Sequence, residues 1–120
     1  MNEPLRIELL TMIQSSYSDA KEAYDLFAAD LDHSDRYAAV ILACVNNAVS
    51  KCYAARAVYS ICITQFESFD IAKYFSLLDV FANETIKLVL NPSTIHFIPS
   101  SFDPLSTLFE NTFLSDPIHH

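Results

Sequence analysis

The chain has 120 residues and a net charge of −8, with 52% hydrophobic residues, 18% charged residues and no glycine. Such a length suits one domain, and an acidic balance argues against binding nucleic acid through its phosphates, which needs clustered Lys and Arg. The missing glycine removes dinucleotide fingerprints, Walker loops and EF-hand calcium loops, each of which requires one. Tight turns and left-handed caps also rely on glycine, so the expected fold is all-α. We expect a four- to five-helix bundle around one long central helix, with a proline-rich C-terminal strap.

Pro4 suits a first helical turn, and Leu5, Leu9, Met12 and Ile13 form an apolar stripe behind it. Ser15-Ser16-Tyr17-Ser18 reads as a break, with Ser18 as the N-cap of a second helix and Asp19 and Glu22 in its first turn. Ala20, Ala23, Tyr24, Phe27 and Leu31 are that helix's stripe; without the break, one helix runs from Pro4 to Leu31. Asp32-His33-Ser34-Asp35 is a linker. The next helix, Asp35 to Gln65, places Ile41, Val45, Ala48, Cys52, Ala55, Tyr59, Cys62 and Phe66 at alternating spacings of four and three. That is a heptad seam whose small middle lets a neighbouring helix approach closely. Val40, Cys44, Val49, Tyr53 and Val58 widen the apolar surface, predicting a central helix touched on several sides. From Tyr37 to Ile63 the longest uncharged run is 14 residues, short of the about 20 a membrane span needs. It reads as a core helix.

Ser68 caps the following helix, with Asp70 in its first turn and Ile71, Tyr74, Phe75, Leu78, Phe81, Ala82, Thr85 and Val89 along its apolar face. Asn91-Pro92 ends it, because proline disfavours the helical conformation in the residue before it. Residues 1–91 therefore read as the helical bundle. Residues 92–120 carry no Lys or Arg but four prolines and four phenylalanines, and read as the strap of the same domain. Ser93 to Ile98 is extended. Asp103-Pro104 then opens a short helix as N-cap and first-position proline, with Leu105, Leu108, Phe109 and Phe113 as its stripe. So much apolar area has to dock, either on the chain's own bundle or on another chain. In the second case Phe97, Phe102, Leu105, Leu108, Phe109 and Phe113 form the partner contact, in the manner of a groove-binding helix.

Chemistry-bearing residues are sparse. His33, His96, His119 and His120 follow no metal-binding spacing, so neither a metal nor any other cofactor is expected, nor a catalytic residue. Cys44, Cys52 and Cys62 fall in one apolar helix without CxxC spacing and read as reduced core residues of a cytoplasmic protein. The N-terminus, Met1-Asn2-Glu3-Pro4, lacks the basic start of a secretory segment. Asp19, Glu22, Asp25, Asp30, Asp32 and Asp35 make an acidic run, of which Asp30, Asp32 and Asp35 are the candidate face for a basic partner. Asn46-Asn47 either lie on a polar stripe with Ser50 and Lys51 or are buried and fix register. The long helix leaves apolar surface uncovered, predicting a two-fold homodimer near Tyr59, Cys62 and Phe66.

Asp30 to Val58, in particular Ala48-Val49-Ser50-Lys51-Cys52-Tyr53 followed by Ala54-Ala55-Arg56-Ala57, resembles the helix–loop–long-helix of HEPN domains. Those helical domains include RNases and partners of nucleotidyltransferases. The resemblance covers under a third of the chain. The family's catalytic pattern pairs an Arg with a His a few positions later, and neither Arg36 nor Arg56 has one there. The resemblance thus implies a domain that partners a nucleotide-handling protein and is not itself a nuclease.

The expected function is a small, acidic, non-enzymatic protein–protein interaction module: an adaptor, a dedicated chaperone, or a host or phage regulator. The expected partner is another protein, with no direct nucleic-acid or membrane binding. The alternatives are the HEPN-like partner and an acidic nucleic-acid mimic that blocks a basic site.

Overall fold

In the computed structural model, residues 3–29, 36–62, 69–91 and 98–113 are described. Among them there are four helices and no strand: α1 (Glu3–Ala29), α2 (Ala38–Cys62), α3 (Phe69–Leu90) and α4 (Phe102–Thr112). Consecutive helices run antiparallel. Lys51 of α2 reaches back to Asp19 of α1, Arg56 of α2 to Asp79 of α3, and Glu84 of α3 to Ser101 at the start of α4. The bundle is up-down-up-down, with α1 and α3 on one diagonal.

The backbones approach most closely along α1 and α2, because the facing side chains are small. Ser16, Ala20 and Ala23 on α1 and Ala48, Cys52 and Ala55 on α2 are all buried. Aromatic rings set the spacing on the opposite side. Tyr17 and Tyr24 on α1 stand seven residues apart, as do Phe102 and Phe109 on α4. Tyr17 stacks on Phe109 with centroids 3.9 Å apart and Tyr24 on Phe102 at 4.2 Å. Phe102 also lies 5.9 Å from Tyr17. The rings therefore interleave along the α1–α4 seam, and offset stacking adds to their area burial.

The serines at positions 15–18 do not break α1. Ser16 is fully buried; its hydroxyl donates to the Ile13 carbonyl at 3.0 Å and shares a hydrogen bond with the Tyr74 hydroxyl from α3. Tyr17 donates to Ser106 on α4 at 3.1 Å. Ser18 is exposed within the helix rather than at its N-cap. Among the described residues the helices accordingly number four rather than five.

All eight residues predicted for the apolar face of α3 are buried. Helix α4 begins one residue before Asp103-Pro104, after Ser101, which makes no side-chain cap bond of its own. Glu84 replaces that cap from outside: it accepts from the Ser101 backbone N–H at 2.8 Å and from the Ser101 and Ser100 hydroxyls at 2.6 and 3.3 Å. A carboxylate at a helix N-terminus also complements the macrodipole.

The segment after residue 91 thus contributes α4 to the core of the same chain. Phe102, Leu105, Phe109 and Phe113 are buried with residues of α1, α2 and α3 in one cluster. A second cluster joins Ala23 and Phe27 to Ile41, Val45, Ala82 and Val89.

Candidate interaction surface

Helix α2 has two faces with different fates. Ile41, Val45, Ala48, Cys52, Ala55 and Tyr59, the seam read from the sequence, are buried. Cys44 joins them, and Val49 and Val58 are half-buried. Val40 and Tyr53, also expected to be covered, are 49% and 59% exposed, and Ile61 is 69% exposed. The helix is therefore not a centre touched on several sides. Its neighbours are α1 and α3, while α4 lies on the far diagonal, so nearly half of its circumference is bare among the described residues.

That bare face is neutral. The exposed positions from 39 to 61 hold only Ala, Val, Asn, Ser, Tyr and Ile, in a chain of net charge −8. Asn46 and Asn47 both lie on it, with Ser50 and not in the core. Lys51 and Arg56 flank the face and are held in ion pairs. Lys51 Nζ is 2.7 Å from Asp19 Oδ2. Arg56 donates to Asp79 and to the Phe75 carbonyl, the latter at 3.1 Å. The guanidinium also lies 5.4 Å from the Tyr53 and Phe75 ring centres, within cation–π range of both. By length and composition Ala38–Ile61 is the one described helix able to cross a membrane, and a third of that stretch is buried in the bundle.

The remaining site expectations are distributed differently. Tyr59 packs edge-on against Phe75 inside the core, away from the bare face. Phe66 and the Cys62 side chain lie outside the described residues, as do Phe97, Asp30, Asp32 and Asp35. Leu108 is half-buried at a groove of about 370 Å³ between α3 and α4, which it lines with Lys73, Leu77, Pro104, Asn111 and others. A shallow groove of about 480 Å³ on α1 is lined by Ser18, Lys21, Glu22, Asp25, Leu26 and Ala29, and Lys21 and Asp25 in this lining form an exposed ion pair at 2.9 Å. Among the described residues no three His, Cys, Asp or Glu side chains are grouped to hold a metal ion.

Titratable core groups are kept neutral. Burial pushes the Cys52 thiol up to about 11, against the pull of Arg56. Burial, with Glu22 nearby, also raises Cys44, and burial raises the Tyr74 hydroxyl strongly. None of these three is prepared as a nucleophile, which needs a lowered pKa or an adjacent base.

No family model matches the chain, and no curated protein or solved structure does either. The resemblance to HEPN domains over Asp30–Val58 rests on those residues alone.

Proposed function

We propose that this protein is a non-enzymatic helical interaction module, an adaptor, dedicated chaperone or regulator, that meets another protein chain through the outer face of α2. One observation carries the reading. A surface about 33 Å long, at 1.5 Å rise per residue, leaves Val40, Tyr53 and Ile61 in water and contains no charge. Interface centres are depleted in charged residues and enriched in tyrosine, whereas ordinary solvated helix faces are charged. Neutral thiols and ion-paired cations fit a reduced, cytoplasmic module better than a catalytic one.

The test places a photo-crosslinking side chain at Ser50 in the full-length protein, expressed in its source cells, with the exposed Ala72 of α3 as the reference position. Adducts to protein are expected from position 50 and not from 72. Equal yields from both positions, or none from 50, would contradict the reading.

A further inference from the structure

We infer that α4 is a detachable closure: it leaves the bundle as one unit while α1, α2 and α3 stay packed, and it bares an aromatic trough on α1 and α3. The division of the core carries this. Ala23, Phe27, Ile41, Val45, Ala82 and Val89 of α1, α2 and α3 build the second cluster, and among the described residues α4 contributes nothing to it. Helix α4 enters only the first cluster, through Phe102, Leu105 and Phe109, with Phe113 just beyond its end. Each of the other three helices belongs to both clusters, so none of them can leave without breaking both. Undocking of α4 leaves one cluster whole.

The polar contacts divide the same way. Tyr17 meets Ser106 at 3.1 Å, and Ser100 and Ser101 meet Glu84, at part-buried or exposed positions along the α4 contact. Water can take the place of each as α4 departs. The buried hydrogen bonds among Ser16, Tyr74 and the Ile13 carbonyl lie within α1 and α3, and Lys51 and Arg56 tie α2 to those same two helices. These stay paired without α4, whereas departure of α3 would part Tyr74 from Ser16. The trough that opens is lined by Tyr17, Tyr24, Tyr74 and Phe81. Their rings face Phe109, Phe102 and Phe113 at centroid distances from 3.9 to 5.8 Å. An 11-residue helix is marginal alone in water, so undocking and unwinding are one step. The chain entropy regained offsets part of the lost burial, and cooperative opening by single supersecondary units is the usual form of partial unfolding.

The experiment is native-state amide hydrogen exchange on the full chain, under conditions where the rate reports the opening equilibrium. In the wild type, the amides from Ser106 to Phe113 are expected to share one opening, faster and less urea-dependent than that of the amides from Val45 to Ala55 on α2. Ile41→Val, a conservative change in the second cluster, then separates the two events. It should speed the α2 amides by about 2- to 12-fold, the cost of one buried methylene, and leave the α4 amides unchanged, because Ile41 stays packed when only α4 opens. Phe109→Leu should speed both sets, since its contacts are lost in either opening. Three results overturn the inference: α4 amides as slow as those of α2 in the wild type; α4 amides sped by Ile41→Val as much as those of α2; or protection that declines residue by residue toward Phe113, the mark of fraying from the helix end.

Discussion

Ser16 occupies a fully buried position where alanine would fit by size, and its hydroxyl makes the difference. It ties α1 to Tyr74 across the diagonal of the bundle, so both groups are satisfied where a lone one would be costly. Ser16→Ala and Tyr74→Phe should each lose about 0.5–1.5 kcal/mol in urea unfolding, because each removes one hydrogen bond while the remaining hydroxyl still reaches the Ile13 carbonyl. The double variant should lose less than the sum. Additive losses would show that the two hydroxyls do not act as a pair. Thr85 is the opposite case: it is fully buried and its hydroxyl has no hydrogen-bond partner among the described residues. Replacing that hydroxyl by a methyl group in Thr85→Val should raise stability by up to about 1 kcal/mol. A loss of stability would reveal a partner for it.

At the scale of the helix, α4 depends on its neighbours, since 11 residues is marginal for an isolated helix. Its aromatic seam supplies one support. Phe109→Ala removes the ring stacked on Tyr17 and should cost about 3–5 kcal/mol. Glu84 supplies the other. Burial pushes its carboxyl up, but the hydrogen bonds from Ser101 and Ser100 outweigh this and leave it below its ordinary value of 4.5. A carboxyl lowered on folding stabilises the protein above its unfolded pKa, and that contribution fades as pH falls through the folded one. Wild type should therefore be more stable than Glu84→Gln at neutral pH, and the gap between their melting temperatures should close below about pH 4.5. A gap that widens in acid would contradict this cap.

The elements differed in how openly they showed in the sequence, for physical reasons. Helix α3 is apolar on one side and polar on the other, so its period alone marked every buried residue from Ile71 to Val89. Helix α2 showed its inner seam but not its bare side, because alanine, valine and tyrosine look the same to a periodicity whether they meet a neighbour or water. Only the packing of α1 and α3 against one half of α2 separates them. The serines near position 16 were misleading because a serine that caps a helix and a serine that satisfies a buried tyrosine are the same residue; Tyr74, 58 positions away, is what distinguishes them. The start of α4 was blurred likewise, since its cap comes from Glu84 on another helix.

At the scale of the whole molecule, charge and apolar surface are segregated. Acidic groups on α1 and α3 hold the cations of α2, and the outer side of α2 is left neutral and partly apolar across the bundle's length. This distribution leaves one uncharged face on a chain whose other faces carry its acidic groups. The most direct measurement is the thiol-labelling rate of Ser50→Cys, read by mass at that position, in the purified protein and in a lysate of its source cells. Cys44 and Cys52 are buried with raised thiol pKa values, so they report little. Relative to that of Ala72→Cys, the rate at position 50 should be lower in the lysate, where the proposed partner covers the face. A rate at position 50 as unaffected by the lysate as that at position 72 would contradict the proposed contact of this face with another protein.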